Sequence, residues 1–430
     1  MSSHLSTQTL LFPDIEATND RDKTSSSFVD NMRIPVHRWF RYSAGFSAEW
    51  VEGVIRSRDG PVKVFDPFAG AATTLIAAEK VGAECYGVEA HPFVGRVAKA
   101  KLAYRTDPDS YVRRSREVFT LAGGLRGQVE SYPPLIRKCF NDQVLEYLDR
   151  LRIAWAKTAD GSPESELVWL TLVAILRLVS HAGTAPWQYV LPRKTKKKAM
   201  NPSVAFEFMS RIIANDMRAA RDVRGPHAVL LESDARTCAG VPSNFADLVI
   251  TSPPYANNYD YADATRLEMC FMGEIRGWAD LEGTIRHRLI RSCSQHVPDG
   301  SVNLEEILVA PELEPICKEI AEICNQLGKI RLQRGGKKTY HLMVACYFYD
   351  QAKVWRALRR VCKKPSLACF VIGDSAPYGI YVPVIQWTGA LAKAAGFQSY
   401  DFEKTRDRNV KWKNRKHRVP LCEGRLWVRG

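Results

Sequence analysis

The chain has 430 residues, 46% hydrophobic and 25% charged, a globular balance that excludes a mostly disordered polymer and suggests two to three domains. Lys and Arg total 61 against 47 Asp and Glu, and this net charge of +14 favours a polyanionic partner such as nucleic acid. Eleven dispersed cysteines with no CxxC pair exclude a secreted disulfide framework and carry no zinc pattern, so no metal is expected.

In chain order, residues 1–30 are polar and Ser/Thr/Asp-rich and read as a flexible arm, without the basic-then-apolar order of a signal peptide. Val62–Asp66 reads as a buried strand, Thr74–Val81 as a helix and Glu84–Glu89 as a second strand. Ala228–Glu232, Ala246–Thr251 and Leu367–Gly373 are further strands, with Phe397–Phe402 and Arg425–Val428 the last two. Strands alternating with helices predict an α/β fold, a mostly parallel, doubly wound sheet covered on both faces. Two stretches interrupt that rhythm: 106–225, a largely helical insertion, and 262–339, a further insertion with an amphipathic helix near Glu312–Leu327. The core domain is then 31–105 plus 226–430. The most apolar run, Leu167–Val179, is too short to span a bilayer and contains Arg177, so the expectation is a soluble cytoplasmic protein with no membrane partner.

Three segments carry chemistry. Asp66-Pro67-Phe68-Ala69-Gly70-Ala71-Ala72-Thr73-Thr74 lies between a strand and a helix, where small residues let the backbone curl round a ligand beside free helix N–H groups. It matches neither GxGxxG nor GxxxxGK[ST]. Glu89 and Asp234 end the next two strands; an acid at the first position suits ribose hydroxyls, and one at the second an adenine amino group or a turn cap. Thr251-Ser252-Pro253-Pro254-Tyr255 follows a buried strand, and its two prolines force a rigid, extended exit capped by an aromatic ring. With strand order 3-2-1-4-5, the loops after the first and fourth strands meet at the switch point, where open sheets bind ligands.

DPFAGAATT and TSPPY together resemble motifs I and IV of the amino-directed DNA methyltransferases, which use S-adenosylmethionine to methylate cytosine N4 or adenine N6. Arg38–Ile55 is similar to the family's segment before motif I, which closes the cofactor pocket, and the resemblance covers 33–105, 228–261 and 340–430. It implies a Rossmann-like class I methyltransferase sheet. It assigns Phe46, Asp66, Pro67, Phe68, Ala69, Gly70, Thr73, Thr74, Glu89, Ala90, Asp234 and Ala235 to the cofactor, and Ser252, Pro253, Pro254 and Tyr255 to the target base. Ala72 stands where the family usually has a second glycine. Serine at the head of motif IV favours cytosine N4, and the chain has no Pro-Cys pair for carbon-5 chemistry.

The expected partners are double-stranded DNA and a cognate restriction endonuclease or defence-system subunit. Arg193, Lys194, Lys196, Lys197 and Lys198, with Arg406, Arg408, Lys411, Lys413 and Arg415, are the candidate phosphate contacts. The 106–225 insertion is the expected target-recognition region. Competing readings are adenine-N6 methylation, RNA base methylation and a non-catalytic nucleic-acid-binding subunit.

Overall fold

The computed structural model describes residues 28–42, 45–185, 188–257, 259–336, 338–408 and 418–430. Nine strands are described: β1 Lys63–Asp66, β2 Glu84–Glu89, β3 Ala182–Thr184, β4 Val190–Thr195, β5 Val229–Glu232, β6 Ala246–Thr251, β7 Cys362–Gly373, β8 Ser399–Asp407 and β9 Cys422–Arg429. Seven of them form one sheet in the order β5-β2-β1-β6-β7-β9-β8. β5 through β7 run parallel, and β9 pairs antiparallel with both β7 and β8. Counted along the sheet's own strands, the first five stand in the expected order 3-2-1-4-5. β3 and β4 form a separate antiparallel hairpin.

The alternation of side chains across the pleat builds two cores. Val64, Leu248, Ile250 and Cys369 point to one face, and Phe65, Val249, Ala368 and Phe370 to the other. Central strands covered on both sides read as continuous apolar runs, which is why VKVFD and ADLVIT were legible.

Helices of eight residues or more are α1 Ala48–Arg56, α2 Thr73–Lys80, α3 Pro92–Leu102, α4 Pro108–Gly123, α5 Asp142–Thr158, α6 Pro163–Val179, α7 Pro202–Ala219, α8 Cys317–Gln333, α9 Tyr340–Val361 and α10 Val384–Ala394. The 106–225 stretch is helical as expected, apart from the hairpin, but it shares one continuous core with the first face of the sheet. α6 is apolar all round because it is buried on nearly every side, packed beside α4, α5 and α7. A bidentate Arg96–Glu166 pair at 2.7 and 2.9 Å ties α6 to α3. None of the described helices is long and apolar enough to cross a membrane.

Several boundaries differ from the sequence reading. Most of the N-terminal arm lies outside the described residues, but Phe28–Arg33 forms a 3-10 turn in which Asn31 is buried. The amphipathic helix starts at Cys317, not near Glu312, because a 3-10 turn containing Pro315 precedes it. β7 begins at Cys362, five residues early, and β8 runs on to Asp407. The β7 addition contributes two lysines and the β8 addition mixes Glu, Lys, Arg and Asp, which on β8 suits an edge strand that must not template further pairing.

Candidate active site

β1, β2, β5 and β6 all end on the same edge of the sheet, and the loops leaving them line one cleft of about 780 Å³. Its walls include Phe46, Pro67, Phe68, Ala69, Gly70, Thr73, Glu89, Ala90, Asp234, Ala235, Ser252 and Pro254. Ten of the twelve residues expected to hold the cofactor are thus brought together, beside two of the four expected at the target base. Asp66, Thr74, Pro253 and Tyr255 do not line it.

Asp66 ends β1 where the sequence placed it, but its carboxylate is turned to protein donors. It is buried, and its carboxylate accepts from the Phe68 N–H at 2.9 Å, the Thr74 hydroxyl at 2.6 Å and the Thr251 hydroxyl at 2.6 Å. Burial raises its pKa to about 6 against the three hydrogen bonds that oppose the shift. Asp66 therefore braces the loop that shapes the cleft, and Thr74 belongs to the same brace.

The loop turns through Gly70 at φ 51° and Ala72 at φ 69°. A glycine is favoured at the second position because the left-handed region crowds a Cβ, and alanine there costs ~1–2 kcal/mol. The Ala72 methyl group is wholly buried in the core beneath α2 and does not line the cleft, so it does not narrow it. A side chain at Gly70, by contrast, would meet the Tyr42 ring at 3.3 Å.

Glu89 accepts from the Gly70 N–H and the His91 N–H, each at 2.8 Å, and burial raises its pKa to about 7. His91 also lines the cleft, and burial holds its pKa down at about 3, so it is neutral. Asp234 lines the cleft, and its carboxylate accepts from the backbone N–H and side chain of Arg236. Two carboxylates on neighbouring strand ends, with Phe46, Phe68 and Ile290 for an aromatic ring, are an acceptor and apolar set that fits an adenosine-containing cofactor.

On the β6 side, the Ser252 hydroxyl donates to the Val371 carbonyl at 3.2 Å and is also within hydrogen-bonding reach of the Tyr255 phenol. The Tyr347 hydroxyl donates to the Pro254 carbonyl at 3.0 Å and fixes the path of the loop. The Tyr255 ring lies beside Arg408, whose guanidinium is 4.9 Å from its centroid. Burial raises the Tyr255 phenol well above its ordinary pKa, so it stays protonated.

The basic candidates divide. Arg193, Lys194, Lys197 and Lys198 are exposed on or just after β4, whereas Lys196 turns inward to the Arg177 carbonyl at 2.8 Å. Arg406 pairs with Glu423 at 2.7 Å while its side chain remains 60% exposed. Arg408 is turned inward toward Glu423, its side chain 15% exposed. Lys411, Lys413 and Arg415 lie outside the described residues.

Sequence reasoning missed Tyr42, Gly45, Tyr261, Arg288, Leu289 and Ile290 on the cleft wall. The last three come from the 262–339 insertion, where Arg286–Arg291 gives only a basic, unpatterned signal. It also missed a buried cluster under the β6 loop. Arg286 binds Asp260 through two N–H groups at 3.0 and 2.7 Å, and His296 Nε2 lies 3.2 Å from Asp260. Cys293 completes a group of three potential metal ligands with Asp260 and His296. The Arg286 charge already offsets Asp260, so this cluster is a brace for the loop.

A sheet of this order, with both loops on its carboxyl edge, is the Rossmann-like class I methyltransferase fold. No family model matches the chain. It is 23% identical over 427 residues to the type II methyltransferase M.BsoBI of Geobacillus stearothermophilus, covering 89% of this chain and 83% of that one. It is 24% identical to the type II methyltransferase M.AvaI of Nostoc sp. (strain PCC 7120), covering 86% and 81%, and 23% identical to M.MvaI of Kocuria varians, covering 85% and 82%. An rRNA methyltransferase, aviRa of Streptomyces viridochromogenes, aligns at 11% identity over 100% of this chain and 94% of that one, with a TM-score of 0.28. Motifs, fold and these relatives agree in one likeness: the chain resembles type II DNA methyltransferases along most of its length.

Proposed function

We propose that the protein transfers a methyl group from S-adenosylmethionine to the exocyclic N4 amine of cytosine in double-stranded DNA, after the base leaves the duplex. The observation that carries this reading is the placement of Ser252 on the wall of the cleft, its hydroxyl shared between the Val371 carbonyl and the Tyr255 phenol.

An exocyclic amine on a pyrimidine is a weak nucleophile because its lone pair is delocalised into the ring. A hydroxyl that already donates elsewhere accepts an amine N–H, which lets the nitrogen pyramidalise and direct its lone pair at the cleft. The cofactor supplies an electrophilic sulfonium methyl. The nitrogen gains that methyl and releases one proton, so no strong base is required, in keeping with a Tyr255 phenol that stays protonated. Phe46, Phe68, Glu89 and Asp234 would hold the cofactor, and Tyr255 would stack on the extruded base, whose removal costs a few kcal/mol.

A neutral serine at the head of TSPPY supports cytosine over adenine, and the type II relatives support a cognate restriction endonuclease as partner. The exposed basic residues of β4 are the proposed DNA contacts, on a hairpin that extends from the helical region. Mass spectrometry of nucleosides from DNA and RNA incubated with the protein and isotope-labelled cofactor tests the proposal. Labelled N4-methylcytosine in DNA is the expected product; label only in N6-methyladenine, or only in RNA, would overturn it.

A further inference from the structure

We infer that Arg408 is a positioning residue for the target base and not a contact to the DNA backbone. The inference rests on the proposed role of Tyr255 as the surface on which the base stacks.

Arg408 occupies a seat built for it. Its backbone N–H donates to the Leu421 carbonyl at 2.8 Å, and its Nη1 donates to the Asp374 carbonyl at 2.5 Å. Its Nε faces Glu423 at 3.9 Å, a carboxylate that is itself buried. Its stem crosses the end of β7 at Gly373, where a Cβ would lie 2.7 Å from Arg408 Cδ, so only glycine lets the side chain pass. One guanidinium N–H is thereby given to the Asp374 carbonyl, while the guanidinium carbon lies 4.9 Å from the centroid of the Tyr255 ring.

Reaching a phosphate would strip the Asp374 carbonyl of this donor and leave buried Glu423 to Arg406. That is a poor arrangement for a mobile backbone contact and a good one for a fixed support. With one face of Tyr255 covered by a cation, a base has only the opposite face on which to stack. Its depth beside Ser252 is then set by the ring, and the cation draws ring electron density away from that face.

The test uses full-length protein, plasmid DNA as methyl acceptor and tritiated S-adenosylmethionine. Arg408→Ala should lower kcat about tenfold, as expected for a weakened base stack. It should leave cofactor Kd within about twofold and the slope of log KM against log salt unchanged, because no phosphate contact is lost. Gly373→Ala keeps every charge but displaces the guanidinium, and should reproduce the loss. A slope shallower by about one unit with kcat retained would identify Arg408 as a phosphate contact and overturn the inference. If Arg408→Ala no longer binds cofactor calorimetrically, Arg408→Met, which keeps the stem on Gly373, takes its place under the same criteria. A wild-type protein that binds cofactor but methylates only RNA would sink the DNA reading, whereas wild-type DNA methylation with an unaffected Arg408→Ala sinks this inference alone.

Discussion

The Thr251 hydroxyl donates to Asp66 Oδ1 across 2.6 Å, joining the last residue of β6 to the last residue of β1. The loop that shapes the cofactor cleft and the loop that carries Ser252 are therefore pinned to one buried carboxylate. Thr74 and the Phe68 N–H complete its partners, so the carboxylate acts on the cleft through the backbone it holds.

This predicts how the brace fails. Thr251→Val removes one donor at nearly constant volume and should cost ~1–2 kcal/mol in urea unfolding. Asp66→Ala strands two hydroxyls and a backbone N–H and should cost more, ~3 kcal/mol, with cofactor affinity falling as the loop loosens. Unfolding midpoints for both variants, with calorimetric Kd values, check this. An Asp66→Ala protein of normal stability that fails to bind cofactor would restore the direct contact suggested by the sequence.

Ser252→Ala separates chemistry from binding. The methyl group left behind still packs beside Val371, but nothing accepts the amine N–H. Turnover should fall by ~10²-fold, in the range seen when a single preorganised polar contact is deleted, while cofactor Kd changes little. Steady-state kinetics with calorimetry reads the split. Retained turnover would remove Ser252 from the mechanism.

Much of this site was legible because its residues sit at strand ends, and strand ends are visible wherever a central strand is a short apolar run. Phe65, Val249 and Ile250 are wholly buried, and that burial wrote the pattern. Asp66 shows the limit of such reading: its position was right, yet whether a strand-end acid faces ligand or protein depends on Thr251, 185 residues away. Arg288, Leu289 and Ile290 were invisible because cleft walls supplied by a long insertion obey no period. Arg408 meets a related limit, since a basic run does not reveal which of its members turns toward a buried acid such as Glu423.

Glu89 should give cofactor binding a pH dependence. Burial raises its folded-state pKa from 4.5 to about 7, so the folded protein holds this proton more tightly than the unfolded chain. Its contribution to stability is then fully present below pH 4.5 and is lost as pH rises through about 7. Cofactor affinity should move the other way, strengthening as pH rises through about 7, because ribose hydroxyls bind the ionised acceptor better. Asp66 titrates nearby but faces away from the cleft, and His91 stays neutral. Glu89→Gln should weaken binding and flatten its dependence on pH; calorimetric Kd values on both sides of neutrality decide it, and a slope that survives in the variant would assign it elsewhere.

The β4 hairpin offers the remaining prediction. Arg193, Lys194, Lys197 and Lys198 are exposed, whereas Lys196 is spent on the C-terminal carbonyl of Arg177 near the end of α6. If the four meet phosphates, each contributes about 0.9 to the slope of log affinity against log salt, and alanine at all four should make DNA binding shallower by up to ~3.6 units. Lys196→Met should leave that slope alone and lower thermal stability, because it removes a cation from a helix C-terminus. Fluorescence anisotropy with duplex DNA over a salt series separates the two outcomes. A fourfold variant with the wild-type slope would move the DNA to another face, and a shallower slope in Lys196→Met would show that this lysine swings out to reach it.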